Sequence, residues 1–234
     1  MLKTFVLMWI LLMGFSGILR GQEKYGFEIG PYASYQNWKD RSFQVGPPQA
    51  SPPINFGFHY NDRVVYGVRV NLLSQGHCGG ELSYSYQKNT VTLTRQSFTP
   101  VALRGGIHHV FYNTVLYPAR YGKYRVMPFV TAGLGLASYQ LSTEARARAA
   151  DPRIYGIGNL KRSDNRVAFN YGAGIKARVY SHLGLRADFR HNFSDVPSYG
   201  LPKESSNPAQ VVLPIQGKLQ NYEFSAGIYL QFLK

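Results

Sequence analysis

The sequence predicts an all-β chain, an eight-stranded antiparallel up-and-down transmembrane β-barrel. Three observations predict it. Aromatic residues make up 15% of the 234 residues and Gly numbers 24, while charged residues are only 16%; this is a β-rich composition. Segment after segment alternates an apolar face with a face of glycine, polar and charged residues, as strands do when successive side chains point to opposite sides. Connections alternate between long and short, as in barrels with long loops at one membrane surface and short turns at the other.

The stretch Arg166 to Phe193 shows the pattern most fully. Val167, Phe169, Tyr171, Ala173, Ile175, Ala177 and Val179 share one face, against Ala168, Asn170, Gly172, Gly174, Lys176 and Arg178. After a tight turn near Ser181–His182, Leu183, Leu185, Ala187 and Phe189 alternate with Gly184, Arg186, Asp188 and Arg190.

The remaining elements follow in chain order. Met1–Lys3 is a short basic start, Thr4 to Phe15 is almost wholly apolar, and Ser16 to Gln22 can hold a cleavage site. Residues 1–21 therefore read as a secretory signal peptide and 22–234 as the barrel domain. A cut near Gly21 or Ser16 is expected, and no Cys follows to make a lipoprotein. The alternative is an uncleaved anchor, although the run is short for the roughly 20 residues of a spanning helix. Tyr25 to Gln36 is the first strand, with Pro31 favouring a bulge or a weakened ladder. Asn37 to Arg63 is mostly loop, broken by Gly46-Pro47-Pro48 and Ser51-Pro52-Pro53, with Asn55 to Tyr60 as a possible strand tip. Val64 to Leu73 and Gly80 to Lys88 form the next hairpin, and Phe98 to Tyr112 the fourth strand. There, Val101, Leu103, Ile107 and Phe111 are assigned to the apolar outer face, against Arg104, Gly106 and His108. Thr114 to Tyr124 is a longer connection, Arg125 to Gln140 the fifth strand, and Leu141 to Asn165 a loop with a basic segment. Strands six and seven are those above. A long loop, Ser194 to Leu219, leads to the last strand, Asn221 to Phe232.

Most of these strands reach the roughly 9–11 residues that cross a bilayer at a tilt. In lipid every backbone polar group must be paired, so the sheet must close. The polar faces then collect Glu28, Arg69, Glu81, Arg104, Lys176, Arg178, Arg186, Asp188, Arg190 and Glu223. Facing lipid, each basic residue would cost about 2–4 kcal/mol near the midplane. Facing inward, they pair across the lumen of a barrel whose interior side chains just fill. A structural lumen charge network and no open pore are expected. Tyr35, Tyr84, Tyr86, Phe169, Tyr171, Phe189, Phe193, Tyr222 and Phe224 then form a girdle near the loop end, and Tyr180 and Phe232 one near the turns. A soluble barrel or sandwich with the apolar face inside explains the alternation equally well, and the aromatic placement and loop asymmetry less well.

The formal charge is +14. It suits an anionic membrane surface or acidic glycolipid. Nucleic acid is not expected, because there is no recognition-helix pattern, zinc spacing or concentrated basic tract. The single Cys78 excludes an internal disulfide framework.

The segments RVMPFVTAGLGLASYQ (125–140), FNYGAGIKARVYSHLGLRADFRHNFSDVP (169–197) and NYEFSAGIYLQF (221–232) together resemble the small outer-membrane β-barrel family, which includes the OmpA transmembrane domain and the opacity-type adhesins. The resemblance covers the whole mature chain and concerns fold rather than activity. It implies a terminal aromatic read by the barrel assembly machinery; here Phe232 is followed by Leu233-Lys234. It also implies a bacterial outer-membrane location with outer-membrane lipid as the surroundings, and a monomer is expected. The basic loop Arg146–Arg153 and the tyrosine rims are candidates to engage lipopolysaccharide phosphates or a surface partner, the alternative being a solvated loop.

No catalytic, cofactor-binding or metal site is expected. Gly133-Leu134-Gly135 lacks the third glycine and the helix of a nucleotide motif and reads as close strand packing. His108 and His109 point to opposite faces and cannot chelate one ion together; His108 is expected in the lumen. His191 lies near Ser194 and Asp195, a conceivable nucleophile–base arrangement for a rim-active lipid enzyme. The expected role is structural or surface-interacting and non-catalytic. The alternatives are a small-molecule conduit of the OmpW kind, which an apolar lumen would indicate, or the rim enzyme.

Overall fold

The structure, a computed structural model, describes residues 25–39, 41–45, 54–74, 76–95, 100–151, 159–200 and 217–233. The signal-peptide assignment, the Pro-rich stretch at 46–53 and most of the long loop at 201–216 lie outside the described residues.

The described residues form ten strands and one helix: β1 (Tyr25–Trp38), β2 (Arg41–Val45), β3 (Ile54–Tyr60), β4 (Arg63–Ser74), β5 (Cys78–Arg95), β6 (Val101–Leu116), β7 (Val126–Leu141), α1 (Thr143–Ala150), β8 (Ser163–Arg178), β9 (Leu183–Asp195) and β10 (Lys218–Leu233). Eight of them, β1 and β4 to β10, pair antiparallel in a ring that closes through β1 and β10. The expected eight-stranded barrel is therefore present. The β2–β3 ribbon is an addition above it, and β3 lies on the upper part of β5 from Phe56↔Arg95 to Tyr60↔Val91. The Asn55–Tyr60 strand tip foreseen in the sequence is this element, and β5 extends its hairpin through residues 89–95.

The registers fix the geometry of the ring. One row of partners runs Phe27, Leu72, Gly80, Thr114, Ala132, Tyr171, His191, Tyr222 and back to β1 at Asn37, ten residues beyond its start. An eight-stranded barrel with that stagger has strands tilted by about 35–45°. Pro31 sits on the outer face of β1; the ladder to β4 runs through it, whereas the ladder to β10 lacks the Gly30 and Pro31 pairs without a change of register, the weakening expected of a proline.

Burial alternates along each strand and settles which face is outside. Phe27, Ile29, Tyr35, Val68, Leu82, Val130, Leu134, Val167, Ile175, Leu185, Ile228 and Leu230 are exposed, while Glu28, Arg69, Glu81, Lys176, Arg186, Asp188 and Arg190 are buried. That is a barrel with an apolar exterior. Gly133 and Gly135 lie against the neighbouring backbone: a Cβ would overlap the Tyr112 carbonyl oxygen at the first and the Val110 carbonyl oxygen at the second. The close-packing reading of Gly-Leu-Gly holds. The loop after β7 departs from expectation, since it contains α1. Ser142 caps that helix by accepting from the Ala145 amide at 3.1 Å, and Glu144 pairs with Arg148 one turn on. Ala145 and Ala149 form its buried face.

Candidate functional site: a charge-filled lumen between two apolar caps

The lumen has three storeys. The middle one is ionic. Asp188 receives three guanidinium groups: Arg69 at 2.8 Å, Arg186 at 3.0 Å and Arg190 at 2.7 Å. Glu81 receives Arg186 at 2.5 Å, Arg190 at 2.7 Å and the Asn113 amide at 3.1 Å. The spacing explains how two arginines serve two acids. Arg186, Asp188 and Arg190 alternate along one strand, so all three project to the same side, and Glu81 reaches them from β5 across the bore. Arg69 is also stacked at 3.7 Å over the Tyr32 ring and donates to Ser225 at 2.9 Å. Above this layer Glu223 accepts from Gln36 at 3.0 Å and Asn192 at 3.2 Å, and stands 3.8 Å from Arg69.

The lower storey centres on Lys176. Its Nζ is 2.5 Å from Glu28 and 2.9 Å from the Tyr117 hydroxyl. The rings of Tyr117, Tyr121, Phe129 and Tyr229 surround it at 5.4–6.0 Å. Glu28 also accepts from Asn71 at 3.1 Å and from the Tyr121 hydroxyl. Tyr117 and Tyr121 come from the connection between β6 and β7, which the sequence left without a role. It folds under the barrel, its amides bonded to the His77 and Gly76 carbonyls at 2.8 and 3.0 Å. With Leu73, Val115, Met127 and Phe129 these tyrosines make an apolar floor.

The upper storey is apolar as well. Trp38, Tyr60, Leu103, Ile107, Phe111 and Tyr139 pack there with Ala145 and Ala149 of α1 and with Val196 and Tyr199. Trp38 and Tyr60 lie 4.9 Å apart, and the Tyr139 hydroxyl meets Ser194 Oγ at 2.5 Å. This cap corrects the reading of the fourth strand. Leu103, Ile107 and Phe111 face inward, and Arg104 is exposed on the outer side, away from the lumen network. Alternation identifies two faces but not which is inner, and the top of this lumen is lined by apolar side chains. Arg104 lies near the loop end of β6, above the aromatic girdle, where a charge meets headgroups or water rather than hydrocarbon. His108 and His109 are exchanged for the same reason. His109 is buried against Trp38 and Phe111, whereas His108 points outward to the Tyr84 hydroxyl at 3.0 Å.

Arg178 shares the inner face with Lys176 but stands half-buried at the turn-end mouth. The described network thus consists of Glu28, Glu81, Asp188 and Glu223 against Arg69, Lys176, Arg186 and Arg190, four charges of each sign. The neutral partners Gln36, Gln87, Asn71 and Asn192 were on the polar faces of the sequence pattern, whereas Asn113 was in phase with the face assigned outward; all five are as integral as the charges. Tyr117 and Tyr121, in a connection without periodicity, carried no signal.

His191 and Ser194 do not form a nucleophile–base pair. His191 faces outward to the Tyr171 hydroxyl at 3.1 Å, while Ser194 faces the lumen and Tyr139. His191 belongs to the upper girdle, in ring contact with Phe193 at 4.0 Å and Tyr222 at 4.4 Å. Phe189, Phe224 and Tyr171 continue this band, and a Phe27–Phe232 pair lies at the opposite end.

At the loop end, Asp164 ties down the segment after β9. Its Oδ2 accepts the Ser198 and Tyr199 amides at 2.6 and 2.9 Å and the Arg166 guanidinium at 2.6 Å. Burial alone would raise its pKa, but Arg166 and the two amides outweigh it and hold the carboxyl below its ordinary value. A depressed folded-state pKa contributes stability above the unfolded pKa of about 3.9 and loses it as pH falls through the folded value. Hydrogen exchange at the Ser198 and Tyr199 amides, corrected for its intrinsic pH dependence, is expected to lose protection only below about pH 4, and to be unprotected at neutral pH in Asp164→Ala.

The family model for the outer membrane protein beta-barrel domain matches residues 10–232. The chain belongs to that family of bacterial outer-membrane barrels. Two solved structures share the fold. OprG of Pseudomonas aeruginosa aligns at a TM-score of 0.56 with 12% identity, over 91% of this chain and 98% of that one. Neisserial surface protein A aligns at 0.50 with 13% identity, over 88% of this chain and 97% of that one. No curated protein matches the sequence.

Proposed function

We propose that the mature chain is exported to a bacterial outer membrane and works there as a closed, non-catalytic barrel with a structural or adhesin-like surface role. The observation that carries this reading is the filled lumen. A charge-balanced network lies between two apolar caps, and two small spaces touching it measure about 10 Å³ each, room for about one water. An interior filled by its own ion-paired side chains stiffens the wall and leaves no path for solutes. In planar bilayers the folded protein is expected to give no discrete conductance steps; steady single-channel steps would sink the proposal. The surface role rests on the exposed Lys88, Arg104, Lys161 and Arg162 at the loop end. Lipopolysaccharide-bearing vesicles are expected to retain the protein more strongly than vesicles without it, and the excess retention should fall with salt.

A conduit of the OmpW kind is the second reading, favoured by the apolar upper lumen. It requires an apolar solute to pass the cap. Uptake of a labelled alkane into vesicles carrying the protein, above that of empty vesicles, would select it. The rim-enzyme reading is weakened by the opposite facing of His191 and Ser194; a His191→Ala variant is expected to leave membrane lipid composition as the wild type does.

A further inference from the structure

Arg125 and Arg178 face each other at the turn end of β7 and β8. The Arg178 amide donates to the Arg125 carbonyl oxygen at 2.7 Å, one step beyond the Val126–Ala177 pair. Arg178 ends β8, half-buried and in phase with buried Lys176; Arg125, exposed, immediately precedes β7 in phase with buried Met127. Like charges directly opposite in a sheet repel. Neither guanidinium has an ion-pair partner among the described residues. The acid at this end of the lumen, Glu28, is already engaged by Lys176, Asn71 and Tyr121.

Both arginines border a small pocket at the mouth, which Lys176, Tyr121, Tyr229 and Gln231 also line. Gln231 is 2% exposed, and its Nε2 has no hydrogen-bond partner. A buried donor without an acceptor is costly and calls for one. Among the described turn residues, 76–77, 117–125 and 179–182 contain Arg120, Lys123 and Arg125 but no Asp or Glu. The pocket thus presents two guanidinium forks and an unused amide donor, with a positive rim outside it.

We infer that this mouth is an oxyanion site for a phosphate group, presented either as free phosphate or as the headgroup of a phospholipid. Guanidinium forks match phosphate oxygens two at a time. One bound oxyanion would neutralise the facing arginines and give the Gln231 amide its acceptor. The inner space, about 10 Å³, admits an oxygen rather than a whole molecule, so the group sits at the opening. The inference rests on the strand pairing and not on the proposed surface role.

The test uses the full mature chain, folded in octyl glucoside, a detergent without phosphate. Nitrogen-15 shifts of the Arg125 and Arg178 side chains are followed while inorganic phosphate is added, against sodium chloride at equal ionic strength. Saturable shifts with phosphate alone support a site for the free ion; saturation only when phosphatidylglycerol is doped into the micelles supports a headgroup site. Arg125→Gln/Arg178→Gln should lose the phosphate-induced gain in thermal stability, and Arg120→Gln/Lys123→Gln should keep it. Equal shifts with chloride, or a gain that survives in the Arg125→Gln/Arg178→Gln variant, would overturn the site. A second sign is available. In phosphate-free buffer, Arg178→Gln should melt at or above the wild type, because it relieves the repulsion; melting below the wild type would contradict the inference. Heat-modifiable gel migration of each variant reports separately whether the barrel has closed.

Discussion

Asp188→Ala is expected to lower the unfolding free energy of the barrel by about 3–5 kcal/mol, the range for breaking a buried ion pair from one side. Three guanidinium groups converge on this carboxylate within 3.0 Å. Removing it leaves Arg69 with Glu223 at 3.8 Å as its remaining ion-pair partner, and leaves Arg186 and Arg190 sharing Glu81. The excess positive charge cannot reach water without opening the wall or dragging water into the lumen. Asp188→Asn keeps the shape and one acceptor oxygen but not the charge, so its loss should fall between wild type and Asp188→Ala. Urea unfolding in lipid vesicles can be read through Trp38, the tryptophan of the upper cap and, once residues 1–21 are removed, the only one in the chain. A shift below about 1 kcal/mol, the scale of an exposed pair, would show that the network is solvated rather than sealed.

The second large effect is a coupling. Lys176→Met and Glu28→Leu, made singly, are each expected to cost about 3–5 kcal/mol. The first strands Glu28 at the floor with only neutral donors; the second strands an ammonium among four aromatic rings. The double variant removes both charges together and replaces them with apolar groups of similar size. It should lose less than the sum, with a coupling of about 1–3 kcal/mol. A cycle that closes additively would show that the 2.5 Å contact contributes nothing specific.

These expectations draw on residues that the sequence had already placed together. Eight of the ten charges assigned to the lumen from alternation alone meet there, because the period of two along a strand is set by backbone geometry and survives any tertiary arrangement. The failures have separate causes. On β6 the inward face is apolar, so polarity pointed the wrong way for Arg104 and His108, and only contact with α1 and the β9–β10 loop reveals the cap. The helix itself was concealed by its composition: TEARARAA has too few large apolar residues for a helical stripe, and two alanines suffice for its buried side. The Tyr117–Tyr121 floor was concealed because a turn folded beneath a barrel has no period to detect.

The closing ladder has a consequence for how the chain gets into a membrane. Gly26 pairs with Leu233, and Trp38 with Asn221, so the two ends of the folded chain form one seam. Every other ladder of the ring joins consecutive strands, or strands separated only by the β2–β3 ribbon. Local hairpins form early, while the contact of greatest sequence separation carries the largest loop-closure entropy. A sheet stalled just before that step would hold two unpaired edges, β1 and β10, in hydrocarbon, where unpaired amides and carbonyls are not tolerated. Insertion and closure are therefore one kinetic event, with the seam as its final commitment. Deleting β10 would expose an edge on β1 and another on β9 at once, so a truncated chain should be trapped at the membrane surface rather than inserted as a seven-stranded remnant.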